Sequence, residues 1–295
     1  MADLLKWKFP DAIVDCDWLC KRIDCEDIRV YDCTTYLRYT DEDPNKPYNV
    51  ESGFLDYKKE HIPNSAYIDL QKDLSNNNSK FRFTLPNHKV LAKSFASLGI
   101  GNPFKIVLYS RNGLQWSTRI WWMLYYLGFK NASILDGGFN EWKKMGLPIE
   151  KKHTTFKSAK FEYNLIKSAF VKKDIILKKI NDKSCVLLNA LTNDIHIGDN
   201  TRYGRPGRIP NSINIPFHKL INETNGKLKK PNEAMKIFQL EGITTNHQII
   251  NYCGGGIAAT LDAFVQYQLG FNFLQVYDNS MSEWAMNKKL PMERD

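Results

Sequence analysis

The sequence predicts an α/β protein made of two similar halves, each with a mostly parallel sheet flanked by helices. Two observations support this prediction. Short β-branched runs alternate with helical apolar patterns, and the second half repeats the first motif by motif. With 295 residues, of which 43% are hydrophobic and 25% charged, the chain can bury such cores. These proportions exclude disordered, collagen-like and fibrous classes.

Four pairs of segments carry the repeat, and the offset between paired residues drifts only from 147 to 142 along the chain. The pairs are 61–69 with 208–216, 104–113 with 247–256, 127–129 with 269–271, and 134–142 with 276–284. Because solenoid repeats run to roughly 20 to 50 residues, a period this long indicates a duplicated domain. We expect one domain at 1–150, a polar, basic linker at 151–164 and a second domain at 165–295.

The individual elements follow from apolar runs and helical spacing. We predict strands at 28–31, 106–109, 132–135, 185–188, 248–252 and 274–277, and helices at 89–98, 117–127, 232–240 and 258–269. Ligand sites of parallel sheets lie beyond the carboxyl ends of the strands. The loops after Tyr109 and Tyr252 are therefore where chemistry is expected.

The formal charge of +9 comes from scattered Lys and Arg with no basic run of five. This favours a solvated surface over a nucleic-acid or membrane partner. The strongly apolar run 120–127 is shorter than the roughly 20 residues of a membrane span. The N-terminus resembles neither a secretion signal nor a transit peptide, so we expect a cytoplasmic protein.

Six cysteines without a C-x-x-C pair make structural zinc or a disulfide scaffold improbable, and we expect no metal or organic cofactor. The sequence leaves the oligomeric state open.

One loop has the composition of a nucleophile site. Cys253 follows an apolar strand directly, precedes Gly254-Gly255-Gly256 and stands before a predicted helix. A glycine turn frees consecutive N–H groups to point inward, and the helix adds its positive end, so both stabilise a thiolate. The counterpart in the first half is Ser110, in a loop without the glycine run. This asymmetry predicts one reactive and one inert loop.

These motifs resemble those of tandem-domain rhodaneses, the thiosulfate and 3-mercaptopyruvate sulfurtransferases, over nearly the whole chain. The resemblance implies an inactive first domain and a second domain whose cysteine carries sulfane sulfur as a persulfide. Cys253 takes that role by position, and the amides of Gly254, Gly255, Gly256, Ile257 and Ala258 would cradle the persulfide. The implied partners are a small anionic sulfur donor and a thiol or cyanide acceptor.

The loop departs from both donor-specific patterns of the family. Thiosulfate-preferring members resemble Cys-Arg-Lys-Gly-Val-Thr and mercaptopyruvate-preferring members Cys-Gly-Ser-Gly-Val-Thr, whereas this chain has Gly255 and Ala258 at the positions of the latter's Ser and Thr. Asn189 and Leu191 stand where the family usually has Asp and Arg.

A cation for the donor must therefore come from outside the loop. The segment 201–208 offers Arg202 and Arg205 as candidate anion binders, because a guanidinium binds carboxylates and similar anions by paired hydrogen bonds. We expect Arg208 and His61 to be structural.

Two other functions need residues that the sequence lacks, and a third stays open. A cysteine phosphatase needs an Arg six residues after the cysteine, and that position is Ala259. A nucleotide-binding P-loop needs a Lys-Ser or Lys-Thr after the glycines, which is absent. A non-catalytic protein that carries persulfide sulfur or binds a partner remains open, and turnover with an acceptor thiol distinguishes it from an enzyme.

Overall fold

The computed structural model describes residues 5–40 and 47–295, and two five-stranded parallel sheets organise it. The first sheet has the order β1-β7-β6-β2-β5, and the second has the order β10-β9-β11-β12-β8. The strands of the first are Ile13–Val14 (β1), Ile28–Asp32 (β2), Ser65–Tyr67 (β5), Lys105–Tyr109 (β6) and Ala132–Leu135 (β7). Those of the second are Phe170–Val171 (β8), Cys185–Asn189 (β9), Ile213–Asn214 (β10), Gln248–Tyr252 (β11) and Phe273–Tyr277 (β12).

Helices connect these strands. In the first half they are Cys16–Cys20 (α1), Phe54–Lys59 (α2), Leu70–Leu74 (α3), His88–Ser97 (α4), Gln115–Tyr126 (α5) and Gly138–Lys144 (α6). In the second half they are Lys173–Lys179 (α7), Asn193–Ile197 (α8), Pro231–Leu240 (α9), Ala258–Gln268 (α10) and Ser280–Trp284 (α11). The fold class is therefore as predicted, and every predicted strand and helix is present with its ends within two residues.

The central strands are buried because helices cover the sheet on both faces. In β6 and in β11 the last four of the five residues are buried, which is typical of near-continuous apolar runs in parallel sheets. Strand β11 lies between β9 and β12, all parallel, so its carboxyl end reaches the same edge as theirs.

An antiparallel hairpin was not predicted. Strands Thr35–Tyr39 (β3) and Tyr48–Ser52 (β4) pair with each other, with Tyr39 opposite Tyr48. The residues between them, 41–46, lie outside the described part of the chain. The hairpin follows β2 of the first domain, and Tyr48, at the start of β4, contacts the second domain, as described below.

The two domains meet through α5 and α10. Trp121 of α5 packs edge-on against Phe264 of α10, with ring centroids 4.7 Å apart, and Tyr125 packs against Tyr267 at 5.2 Å. The Trp122 indole donates to the Ala169 carbonyl oxygen at 3.1 Å. Helix α10 is consequently buried on nearly all sides, since a sheet covers one face and the other domain covers another.

The segment 151–164 lies on the first domain. Thr154 forms a bridge to Ala66, and the Phe161 ring stacks on those of Phe95 and Phe129 at 5.7 and 5.4 Å. It contains no helix. The domain limits at 150 and 165 stay a prediction.

Within 5–40 and 47–295, no helix is long and apolar enough to cross a bilayer. The same residues contain no group of three His, Cys, Asp or Glu side chains placed to hold a metal ion.

Candidate active site

Cys253 lies at the carboxyl end of β11 and is only 2% exposed. Its N–H donates to the Ser280 hydroxyl oxygen at 3.0 Å, and its carbonyl oxygen accepts from the Met281 N–H at 2.9 Å. Both partners belong to α11, which follows β12. The neighbouring strand and helix thus fix the backbone at the cysteine.

The loop after Cys253 presents five consecutive N–H groups, those of residues 254–258. No residue in the described part of the chain accepts a hydrogen bond from any of them. The last two stand at the N-terminus of α10, an 11-residue helix, where the dipole adds positive potential. Free backbone N–H groups at a helix N-terminus are a general feature of anion-binding sites, so the loop has the hydrogen-bond donors that an anion needs.

Close neighbours leave little room for a side chain at each of the three glycines. A Cβ atom on Gly254 would lie 1.9 Å from the Tyr203 hydroxyl oxygen, and one on Gly255 would lie 3.0 Å from that of Tyr48. Gly256 has φ +73°, and a Cβ there would lie 2.3 Å from the Asp278 carbonyl oxygen. The loop is therefore packed against side chains from both domains.

A cavity of about 390 Å³ opens beside this loop, at the boundary between the domains. It is lined by Pro47, Tyr48, Gln71, Asn77, Ser79, Lys80, Phe81, Arg82, Tyr203, Ser282 and Met286. Lys80 and Arg82 are its two cations, and none of these lining residues is Asp or Glu. A neighbouring depression shares Lys80 and adds Lys173, Lys288 and Lys289, with Glu283 as its acidic residue. The mouth is thus predominantly positive.

Two phenols stand between the cavity and Cys253. Burial raises the pKa of Tyr48 to about 12, and the nearby Cys253 adds to this rise while Ser282 and Arg82 oppose it. Burial likewise raises the pKa of Tyr203 well above its ordinary value, with Cys253 among the smaller contributors. Both hydroxyls are therefore protonated near neutral pH and can donate hydrogen bonds.

An arginine of the first domain hydrogen-bonds to the backbone of the loop after Cys253. Arg119, fully buried on α5, donates from Nη1 to the Gly256 carbonyl oxygen at 3.1 Å and from Nη2 to Asp278 Oδ1 at 2.7 Å. Its Nη2 also donates to the Phe83 carbonyl oxygen at 2.7 Å. One guanidinium thus joins the loop after Cys253, the loop after β12 and the segment that bears Arg82.

The equivalent loop of the first domain has no thiol, and its polar side chains are paired. Ser110 donates from its hydroxyl to the Gly113 carbonyl oxygen at 2.5 Å. Arg111 pairs through Nε with Asp32 at 3.2 Å and lies 3.8 Å over the Phe139 ring. Arg111 thus stands in the repeat where the other loop has Gly254.

The structure separates the two arginines predicted to bind the donor. The Arg202 guanidinium lies 3.8 Å over the Tyr39 ring, near the hairpin that carries Tyr48. Arg205 instead donates to the carbonyl oxygens of Trp284, Ala285, Asn287 and Leu290, at 2.7 to 2.9 Å. Four of its five N–H groups are thus used to hold the C-terminal segment, which does not fit the predicted role in binding a donor.

The residues expected to be structural have structural contacts. His61 is fully buried, with Nδ1 2.6 Å from the Tyr57 carbonyl oxygen and Nε2 3.0 Å from that of Lys152. Arg208 pairs with Glu293 and Asp295.

Asn189, at the end of β9, orders the next turn. It donates from Nδ2 to His196 Nδ1 at 3.0 Å and accepts from the Leu191 N–H at 3.0 Å. Burial, followed by the charge of Arg208, lowers the pKa of His196 to about 4. This imidazole is therefore neutral at physiological pH.

Sequence reasoning missed Tyr48, Lys80, Arg82 and Arg119. The first three lie in segments without periodicity, and Arg119 lies inside an apolar helix pattern where only its charge is unusual. A buried arginine needs hydrogen-bond acceptors, so the charge of Arg119 within this apolar pattern was the one sequence feature that indicated a special role.

Comparison with known proteins places this architecture. The model of the Rhodanese-like domain matches the chain twice, at residues 15–145 and 176–287. The chain is 27% identical to 3-mercaptopyruvate sulfurtransferase of Mus musculus, with 93% of this chain and 92% of that protein covered. It is 28% identical to thiosulfate sulfurtransferase of Cricetulus griseus, with 92% and 91% covered. The two relatives are named for different sulfur donors, although this chain has nearly the same sequence identity to both.

A solved structure has a fold similar to that of this chain. The crystal structure of SseA, a 3-mercaptopyruvate sulfotransferase from Escherichia coli, superposes with a TM-score of 0.76 at 24% identity, covering 91% of this chain and 98% of that one. The predicted family is therefore confirmed, and the length of the matches supports the prediction of an enzyme. The chain belongs to the rhodanese-like domain family and carries two such domains in tandem.

Proposed function

We propose that this protein is a sulfurtransferase that moves a sulfane sulfur from a small anionic donor, such as thiosulfate or 3-mercaptopyruvate, to a thiol or cyanide through a persulfide on Cys253. The observation that carries the proposal is the row of five N–H groups at residues 254–258 without an acceptor among the described residues. Five free donors next to a nearly buried cysteine suit a negatively charged sulfur.

The reaction runs in two displacements. With thiosulfate, the Cys253 thiolate forms a bond to the outer sulfur, the S–S bond of the donor breaks, and sulfite leaves with the electron pair. The acceptor thiolate or cyanide then attacks the outer sulfur of the persulfide, and Cys253 leaves as thiolate. The loop amides hold the negative charge at each stage, so no metal or organic cofactor takes part in the proposed steps.

The cavity charges support an anionic donor. Lys80 and Arg82 line it without a neighbouring carboxylate in the lining, and no described residue forms an ion pair with either. Cations that line a concave site raise the local concentration of anions. We assign donor binding to Arg82 first, with Lys80 and Arg202 as further candidates, and withdraw Arg205.

The test is the intact mass of the purified protein after incubation with thiosulfate and, separately, with 3-mercaptopyruvate. We expect a gain of about 32 mass units on the wild type, reversed by a thiol, and no gain on Cys253→Ser. Ser110→Ala is the matched control in the inert loop and should gain the same mass as the wild type. A Cys253→Ser protein that still turns over would refute the assignment.

The same measurement separates an enzyme from a carrier. A persulfide that forms but is not passed on to excess thiol would favour a non-catalytic sulfur carrier. No gain with either donor would refute the persulfide mechanism with these donors.

A further inference from the structure

The catalytic loop offers almost no side-chain chemistry of its own. After Cys253 it contains three glycines, Ile257 and Ala258, none of which has a polar side chain. Any side-chain hydrogen bond to the reacting atoms must therefore come from residues outside the loop. Four hydroxyls lie near the loop, those of Tyr48, Tyr203, Ser280 and Ser282. The Ser280 hydroxyl accepts from the Cys253 N–H and donates to the Tyr277 carbonyl oxygen at 2.7 Å, so its proton is already used.

Ser282 is already engaged. Its hydroxyl donates to the Gly254 carbonyl oxygen at 2.7 Å, so its proton serves the loop backbone. Tyr203 lies tightly over Gly254, where its hydroxyl oxygen would be 1.9 Å from a Cβ atom. There it leaves no room for a substrate group between the phenol and the loop. Tyr48 is the remaining donor.

The Tyr48 hydroxyl oxygen lies farther from the loop than that of Tyr203. It would be 3.0 Å from a Cβ atom on Gly255, in place of 1.9 Å for Tyr203 over Gly254. The Tyr48 phenol also lines the cavity that bears Arg82, so it borders both the loop and that cavity. A hydroxyl in this place reaches a group bound over Gly255.

The Tyr48 ring is held firmly. It is 6% exposed, stacks on Phe83 with centroids 6.4 Å apart and an interplanar angle of 19°, and meets Tyr39 edge-on at 6.1 Å. Phe83 in turn gives its carbonyl oxygen to Arg119. A donor that is preorganised in this way loses little entropy when it forms a hydrogen bond, which is the condition for useful transition-state stabilisation.

We propose that the Tyr48 hydroxyl, supplied by the first domain, donates a hydrogen bond to the carbonyl oxygen of a 2-oxo thiol donor during sulfur transfer to Cys253. This inference rests on the proposed function and deepens it. It makes Tyr48 a donor-selecting catalytic residue, because only the 2-oxo donor concentrates the developing charge on a single carbonyl oxygen, whereas sulfite spreads it over three oxygens.

The chemistry of the two donors differs in where the electron pair goes. With 3-mercaptopyruvate, the Cys253 thiolate bonds to the donor sulfur, the C–S bond breaks, and its electron pair becomes an enolate whose charge rests on the carbonyl oxygen. The thiol proton of the donor ends on the enolate carbon, which yields pyruvate and leaves Cys253 as a persulfide anion. With thiosulfate, the pair stays on sulfite, which needs no hydrogen bond from a phenol to leave.

The experiment compares both donors on the full-length protein. We expect Tyr48→Phe to lower kcat with 3-mercaptopyruvate by about 100-fold, as removal of one oxyanion donor commonly does. Turnover with thiosulfate should stay within roughly twofold, because sulfite spreads its charge over three oxygens and forms no enolate oxygen for the phenol to stabilise. Tyr163→Phe is the matched control, since it removes a phenol hydroxyl from an exposed ring that packs on His88.

Thiosulfate activity also reports whether Tyr48→Phe folds, and persulfide formation measured by mass supplies a second readout that does not depend on the acceptor. An equal loss with both donors, or no loss with either, would overturn the inference and leave the sulfurtransferase proposal standing. A wild type that accepts sulfur from thiosulfate but not from 3-mercaptopyruvate would do the same. A wild type that forms no persulfide with either donor would refute the proposed function itself.

Discussion

The hydroxyl oxygens of Thr118 and Thr260 lie 3.2 Å apart and hydrogen-bond across the domain boundary. The two residues are separated by 142 positions, which is the offset that aligns the later motifs of the sequence repeat. Equivalent residues meet in this way only where a local two-fold axis passes between the copies, as in isologous contacts. The duplicated halves are thus packed face to face. Tyr48 of the first half lies at the loop after Cys253, and residues 223–226 of the second half lie beside the equivalent loop after Tyr109.

The first prediction concerns the donor's negative charge. Arg82→Ala should raise KM for thiosulfate about tenfold with little change in kcat, because the lost contact acts on bound donor and transition state alike. Arg82→Lys should keep part of the affinity, since it keeps the charge but not the paired hydrogen bonds. Steady-state kinetics measure both, with the exposed Arg22→Ala as control. An unchanged KM in Arg82→Ala would remove this residue from the site.

The second prediction separates Arg202 from Arg205. Arg205→Ala should lower the free energy of unfolding by about 2 kcal/mol, because four carbonyl oxygens of the C-terminal segment lose a charged donor. Arg202→Ala should leave stability nearly unchanged and raise KM for the donor. Urea denaturation and donor kinetics of the two variants give the answer. The reverse pattern would restore Arg205 as the anion binder.

The third prediction uses two glycines with the same backbone conformation. Gly256 has φ +73° with the Asp278 carbonyl oxygen against it, whereas Gly146 has φ +68° and open space around it. Both Ala variants incur about 1 to 2 kcal/mol of backbone strain. Only Gly256→Ala must also displace the loop, so it should abolish persulfide formation. Gly146→Ala should retain activity, and loss in both variants would show that strain alone is responsible.

The fourth prediction concerns acid stability. Because the folded pKa of His196 is about 4, below its usual value near 6.5, the unfolded chain takes up a proton that the folded chain refuses. Stability is therefore complete above pH 6.5, falls as the pH drops from 6.5 to about 4, and then levels off.

Urea titrations at pH 7.5, 5.5 and 4.5 test this. Wild type should lose on the order of 2 kcal/mol more than His196→Gln over that interval. Glutamine cannot take up the proton and can still hydrogen-bond Asn189. Parallel curves for the two proteins would show that His196 does not determine the acid limit.

The fold was predictable from the sequence because its strands are runs of buried apolar residues. Strand β11, Gln248–Tyr252, is an example, with four buried residues in a row. The hairpin was missed because Thr35–Tyr39 and Tyr48–Ser52 mix charged, amide and aromatic side chains and contain no continuous apolar run. A strand pair that covers a site instead of forming a core leaves little periodic signal.

The site was predictable only as far as the local chain defines it. Cys253 and its glycines are adjacent in sequence, so strand, turn and helix could be read together, and their role in sulfur transfer stays a prediction until persulfide is measured. Lys80 and Arg82 reach the cavity through the packing of two domains, which no local pattern encodes. The sequence pattern favoured the arginine-rich segment 201–208 as the anion site instead. Two of its arginines, Arg205 and Arg208, hold the C-terminal segment.

The Arg119 contact makes the second half of the chain depend on the first. A side chain 137 positions away holds the backbone of the loop at Gly256, and it belongs to the half that has no thiol in its own loop. That half therefore serves the other as a permanently attached scaffold.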